Sequence, residues 1–305
     1  LLAQGPLDNI GFDPFAEQEQ EMLTKATLLS EVSEFVPGQP FKIALKLEHA
    51  EGWHSYYKNP GYTGVAPKLS WKLPESWKAG PIQFQTPHAA VFLGETAYGY
   101  EGTPYFFVTL TPPEDFKVGE TVILQVEASW QICDDNSCIF EPGPSPSDSM
   151  SFSVELTAAP GVKPSKHSKE LANAEENLPK APSHWAISAR KSENSVLLEL
   201  SPKAGANSNL TEAYFFSSRN GIFDNNAKQK LTQDGDSFIL SIPFADEAEE
   251  FDTISGILSA DSGFLADGSI HGLKLDSLSI SEAPAPVATE EEAEFSVILG
   301  VIGGM

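Results

Sequence analysis

The chain has 305 residues, room for two domains of ordinary size, with 19 Lys+Arg against 43 Asp+Glu and a formal net charge of -24. That surplus of negative charge repels phosphate backbones and anionic lipid headgroups, which excludes nucleic acid as a partner. A hydrophobic fraction of 41% with 19 Phe is a core-forming composition rather than that of a disordered acidic chain, and 23 Gly with 23 Pro point to many turns between short strands.

Residues 1–25, with Pro6, Pro14 and a Glu/Gln run, read as a surface arm. The chain starts at Leu1 without a basic stretch followed by an apolar one, which fits a mature exported protein whose leader has been removed. From there the dominant signal has period two. Phe41, Ile43, Leu45 and Leu47 alternate with Lys42, Ala44, Lys46 and Glu48. Leu124, Val126, Ala128 and Trp130 alternate in the same way with Ile123, Gln125, Glu127 and Ser129, so both runs predict half-buried strands. Between and after them, short runs rich in β-branched and aromatic residues predict strands at 105–110, 152–156, 196–200, 214–216, 238–242 and 254–258, each bounded by Gly, Pro, Asn or Asp. Strands at this spacing without intervening amphipathic helices favour antiparallel sandwiches over a βαβ architecture.

Two stretches of low hydrophobicity divide the chain. Residues 158–182 read as a linker in which Ser168 to Asn177 forms one short helix, and 282–294, rich in Ala, Pro and Glu, as an extended acidic tether. The expected organisation is an arm at 1–25, a β-sandwich at 26–157, the linker, a second β-sandwich at 183–281, the tether, and an uncharged apolar segment at 295–305. That last segment reads as the first half of a membrane-spanning helix, with a buried strand as the other reading. From Ser241 onward Lys274 is the one basic residue among many acidic ones, so a spanning helix here would be approached from the outer side of the membrane.

The two cysteines, Cys133 and Cys138, enclose Asp134, Asp135, Asn136 and Ser137, a turn-forming sequence directly after the strand that ends at Trp130. Four intervening residues allow a tight reversal that brings the sulfurs within bonding distance. Closing so short a loop stabilises the fold by only about 2 kcal/mol, which is little for a purely structural bridge. Two readings stand side by side: a structural hairpin disulfide, and a redox-active dithiol on a turn. Asp134, Asp135 and Glu141 disfavour a thiolate, so the second reading fits relay to a dedicated partner better than spontaneous attack on arbitrary substrates. The other dense cluster is Gly52 to Pro60, followed by Glu95 to Gly102, aromatic runs in Gly-rich surroundings that serve either as core plugs or as shields over a reactive sulfur pair.

Taken in order, Trp130-Gln131-Ile132-Cys133 with Cys138, the run at 52–58, Asn59-Pro60-Gly61, Trp71-Lys72-Leu73-Pro74, Tyr98-Gly99-Tyr100-Glu101-Gly102 and the apolar segment near 295 resemble the exported N-terminal part of the DsbD/ScsB family of transmembrane thiol:disulfide interchange proteins. The resemblance is strong over about residues 30–157 and weak over the second sandwich. It implies immunoglobulin-like sandwiches in tandem and a protein-disulfide reductase domain needing no cofactor and no metal. Cys133 and Cys138 would take electrons from membrane-embedded and thioredoxin-like domains of the same protein and pass them to exported thioredoxin-like proteins. It further implies a site on the periplasmic face of the bacterial inner membrane, anchored by the segment beyond residue 295. A cap over the disulfide falls at Glu95 to Gly99. The family's cap aromatic falls on Ala97, so Tyr98 or Tyr100 is expected to do the shielding, and two tyrosines that flank the sulfurs fall on His54 and Tyr56, with Trp130 nearby. His54 is then placed to tune a cysteine near neutral pH.

Two further classes compete. One is copper binding, with Cys133, Cys138, His54 and Met150 as soft ligands. The other is a non-enzymatic binding sandwich with Trp53, Trp71 and Trp77 as a stacking platform and a structural disulfide. Hydrolase and phosphate-loop motifs are missing from the sequence.

Overall fold

A computed structural model describes residues 22–92 and 94–281. The first half opens with β1 (Thr24–Ser30), β2 (Val32–Phe35), β3 (Phe41–His49), β4 (His54–Gly61), β5 (Lys68–Lys72), β6 (Lys78–Ala79) and β7 (His88–Phe92). It continues with β8 (Glu95–Glu101), β9 (Tyr105–Thr111), β10 (Thr121–Cys133), β11 (Cys138–Glu141), β12 (Met150–Ala158) and β13 (Lys163–Pro164). After the helix α1 (Ser168–Glu175) come β14 (Trp185–Lys191), β15 (Ser195–Pro202), β16 (Tyr214–Ser217), β17 (Lys230–Asp234), β18 (Ser237–Pro243), β19 (Thr253–Ser259) and β20 (Gly272–Ser281).

The architecture is all-β, as the alternating runs require. In the first half a four-stranded sheet, β1-β3-β9-β6, packs on a nine-stranded one, β13-β2-β12-β10-β4-β8-β7, with β5 and β11 also paired to β10. Ile43 and Val108 from the small sheet meet Leu124 and Leu156 from the large one in a shared core. The second half follows one seven-stranded path, β16-β19-β20-β14-β15-β18-β17, around a core that includes Trp185, Leu198, Phe215 and Phe264. Pairing is antiparallel except for β2 with β12 and β14 with β20.

The segment expected as a linker is fastened down. Its helix buries Leu171 and Ala174 against Leu29, Ala44 and Phe107. Glu170 accepts a hydrogen bond from the Tyr105 hydroxyl at 2.8 Å and pairs with Lys46 at 3.0 Å, while Lys42 pairs with Glu175. At the other end, Thr24 already belongs to a strand, inside the stretch expected as an arm. The tether at 282–294 and the apolar segment at 295–305 lie outside the described residues. Among the described residues no helix is long and apolar enough to cross a membrane.

β10 organises the site. Its first part is flanked by β12 and β5, with Val126 opposite Phe152 and Trp71. Its last residues leave those neighbours and pair with β11 and β4, so that Cys133 lies opposite Cys138 on one side and His54 on the other.

Candidate redox site

Burial along β10 alternates from Val122 to Ile132 and then breaks, because Cys133 is buried as well as its neighbour. A strand with one face on the core hides every second side chain. Two consecutive buried residues mean that a second layer covers the other face. The same holds for His54, Ser55, Tyr56 and Tyr57 on β4 and for Ala97 to Tyr100 on β8, all buried in succession.

Cys133 and Cys138 form a disulfide with their Cα atoms 4.1 Å apart. Its halves differ: Cys133 is 0% exposed, whereas Cys138 is exposed at the edge of the hairpin. Asp134 shapes the connecting turn. Its Oδ1 accepts the amides of Asn136 and Ser137 at 2.9 and 2.7 Å and the Ser137 hydroxyl at 3.1 Å, which holds its carboxyl below the ordinary aspartate range. The Asp134 amide donates to the Ser137 carbonyl at 3.0 Å and closes the loop.

Tyr56 donates its hydroxyl to Cys133 Sγ at 2.7 Å and lies 4.0 Å from Cys138 Sγ. Burial pushes the Tyr56 phenol up to about 12, so it remains a donor throughout the physiological range. His54 Nε2 sits 3.3 Å from the Tyr56 hydroxyl with the rings edge to face. The expectation that His54 titrates near neutral pH is overturned. Burial lowers it to about 4, outweighing the opposite pull of Asp135 and Asp134, and leaves a neutral imidazole. His49 is lowered to about 4 for the same reason, with a further contribution from His54, and bridges Thr24 Oγ1 and Ser55 Oγ at 3.2 and 3.0 Å.

Covering Cys133 are Ala97 and Ala90, which face each other across the β7–β8 hairpin and pack with Tyr56 against the buried sulfur. This hairpin covers the buried sulfur where the resemblance leads one to expect a cap. Tyr98 and Tyr100, expected to shield the disulfide, do not do so. On a strand, successive side chains point to opposite faces, so with Ala97 over the sulfur the two tyrosines must turn to the core. The Tyr98 hydroxyl donates to Asn225 Oδ1 at 2.9 Å and lies 3.0 Å from the Tyr214 hydroxyl; Tyr100 donates to the Gln85 carbonyl at 2.8 Å. Gly99 lets β8 lie close on β4, since a Cβ there would come 2.1 Å from the Ser55 carbonyl oxygen. Glu95 is exposed at the outer end of β8.

Trp130 also faces away from the sulfurs, into a core with Leu45, Leu47 and Phe106. Its indole N–H donates to Glu141 Oε2 at 2.7 Å. Glu141 Oε1 accepts the Leu23 amide at 2.6 Å and the Thr24 amide at 3.3 Å, so this fully buried carboxylate ties the entering strand to the redox hairpin. Glu141, expected among the charges near the thiols, stands opposite Trp130 in the ladder and is bonded to it and to the entering strand. Of the tryptophans proposed as a stacking platform, Trp77 is buried in the core of the first sandwich, while Trp71 packs half-buried against that core and Trp53 half-buried against the core around Trp130. Met150 pairs with Ala128, five residues before Cys133 on the strand, and among the described residues no three His, Cys, Asp or Glu side chains are grouped to hold a metal ion.

Residues 25–145, which include both cysteines, match the family model described as thiol:disulfide interchange protein DsbD, N-terminal. The crystal structure of the N-terminal periplasmic domain of ScsB from Proteus mirabilis matches with a TM-score of 0.60 at 17% identity, over 86% of this chain and 95% of that one, and so shares its fold. Spo0M, a sporulation control protein from Bacillus subtilis (TM-score 0.22, 12% identity, 84% and 90% covered), and the Actinomyces fimbrial adhesin FimA (0.25, 9%, 84% and 98%) are too distant in shape to carry an argument. No curated protein matches the sequence significantly.

Proposed function

Residues 25–145 form a DsbD/ScsB-like N-terminal domain, and from that premise we propose that Cys133 and Cys138 are a redox-active pair relaying electrons to exported thioredoxin-like proteins from a membrane-embedded reductase domain. The observation that carries this reading is the asymmetry of the bridge: one cysteine exposed beside the turn, its partner buried beneath Tyr56. An incoming thiolate attacks Sγ of the exposed Cys138, forms a mixed disulfide, and breaks the Cys133–Cys138 bond. The electron pair goes to Cys133 Sγ as a thiolate, which the neutral Tyr56 hydroxyl is already aimed to receive. A second thiol of the donor then attacks its own sulfur in the mixed disulfide and releases the domain as a dithiol, the donor leaving oxidised. In the outgoing half-reaction the Cys138 thiolate attacks a partner's disulfide, and Cys133 resolves the adduct by re-forming the bridge. Electrons and protons balance at each exchange without a cofactor.

The family match further supports a periplasmic site, and the separate sheets of the two halves are in keeping with a division into a redox sandwich at 26–157, a connecting segment at 158–182 and a second sandwich at 183–281. The test is a trapping experiment. With Cys133→Ser, an oxidised thioredoxin-like partner is captured as a stable mixed disulfide on Cys138, whereas Cys138→Ser captures none. Capture by neither variant, together with a wild-type bridge that a reduced thioredoxin-like donor does not open, overturns the relay and leaves a structural disulfide.

A further inference from the structure

The second half of the chain carries no cysteine, yet it reaches the cap. Strand β4 pairs with β8 from His54 opposite Glu101 to Tyr56 opposite Gly99, and then the register shifts before Gly61 meets Ala97. One step beyond that last pair the Tyr62 amide donates to the Thr96 carbonyl at 3.2 Å, and the Thr96 amide, at the outer end of the cap strand, takes its partner from elsewhere. Asn226 supplies it: its Oδ1 accepts the Thr96 amide at 2.7 Å, while its Nδ2 donates to Glu95 Oε2 at 2.5 Å. One residue earlier, Asn225 takes the Tyr98 hydroxyl, and Tyr98 also packs edge to face on Phe216. The bulged part of β4 is held from the same side. Asn59 donates to the carbonyls of Ser217 and Arg219, both at 3.0 Å, and Asn220 donates to the Gly61 carbonyl at 3.1 Å.

Every contact in this set falls on residues 95–98 or on 59–61, the two runs that carry the cap, and all of the gripping groups lie between Tyr214 and Asn226. A spacer would need only apolar area against its neighbour. Side-chain amides completing a broken ladder are directional and fix one position of the strand. We propose that the segment Tyr214–Asn226 is a latch: Asn226 and Asn225 are positioning residues that hold the β7–β8 hairpin down on Cys133 and set how often that sulfur is uncovered. The latch gains its biological use from the relay reading, but the uncovering of Cys133 is measurable whether or not any partner exists.

The experiment uses Cys138→Ser, in which Cys133 is the one thiol, and follows its labelling by N-ethylmaleimide. A buried thiol reacts only from the open state, so the rate reports the opening equilibrium. Asn226→Ala, which removes two hydrogen bonds from the closed cap, is expected to speed labelling roughly fivefold to tenfold. Asn226→Asp keeps the acceptor for Thr96 but sets a carboxylate against Glu95, and is also expected to speed it. Adding Glu95→Gln to Asn226→Asp restores the same hydrogen bond with donor and acceptor exchanged, and is expected to return the rate to that of the parent. In Cys133→Ser, labelling of the exposed Cys138 is expected to be indifferent to Asn226→Ala. Rates for Cys133 within twofold of the parent in Asn226→Ala, failure of the exchanged pair to restore closure, or an equal acceleration at Cys138 would each overturn the latch, the last by showing general loosening instead. Failure of the relay reading shows instead in the trapping experiment, which these labelling rates do not enter.

Discussion

From Thr121 to Trp130, strand β10 sends every second side chain into the core and turns its neighbours outward, with Ile123 left 55% exposed; at Ile132 and Cys133 both neighbours are buried. The first stretch is ordinary half-buried strand, and its inward residues from Val122 to Ala128 contribute through apolar area. The second is covered twice, by the core on one face and by the cap on the other, and it is here that the sulfur, the phenol and the imidazole meet. The difference teaches that chemistry in this fold is found where the period-two pattern stops.

Substitutions on the core face should be large at both ends and differ in what else they disturb. Trp130→Ala is expected to lower unfolding free energy by about 3–5 kcal/mol in denaturant titration, because it opens a cavity and removes a donor from the buried Glu141 carboxylate. Leu124→Ala is expected to lower it by about 2–5 kcal/mol while leaving the rate of Cys133–Cys138 reduction by dithiothreitol unchanged. A faster reduction in Leu124→Ala would mean that the two ends are one cooperative unit and would break the contrast.

On the covered face, Gly99→Ala places a methyl group against the Ser55 carbonyl and is expected to cost about 1–3 kcal/mol, again by denaturant titration, and to loosen β8 from β4. Acid should act on the same region. His49 and His54 stay neutral in the folded protein down to about 4, whereas the unfolded chain takes up protons near 6.5. The unfolded state therefore binds more protons between these values. The contribution to stability is fully present above about 6.5 and is lost as pH falls toward 4. Thermal melts across that range should show the decline, and His54→Gln should make it shallower; an unchanged slope would mean that His54 is not buried neutral. The smallest effect is the most local one. Tyr56→Phe is expected to cost about 1 kcal/mol and to raise the Cys133 thiol pKa by about one unit, read from the pH dependence of its alkylation in Cys138→Ser.

Much of the ordinary end was legible. The alternation at 41–48 and 123–130 gave strands that the structure extends to Phe41–His49 and Thr121–Cys133. In the second half, short runs rich in β-branched and aromatic residues marked β15, β16, β18 and β19, whereas β14, β17 and β20 were missed. β4 was missed for the reason that makes it interesting: His54-Ser55-Tyr56-Tyr57 is buried on both sides and shows no alternation to detect. Spacing sufficed to find Cys133 and Cys138, and the family pattern put His54 and Tyr56 beside them. The parity of β8 was not available, since whether Ala97 or Tyr98 faces the sulfur depends on which face the core takes. Nor was the reach of Asn226 to Glu95, a contact across more than a hundred residues that leaves no local trace.

The bond from Glu141 to the backbone of Leu23 spans 118 residues of sequence. A ribosome delivers Leu23 and Thr24 first, and their amides have to wait on water until residue 141 arrives. Glu141 sits three residues past Cys138, so the first strand finds its buried acceptor only after both sulfurs have been made. The tie between the opening strand and the disulfide hairpin is thus one that a chain ending before Glu141 lacks, although it holds both cysteines.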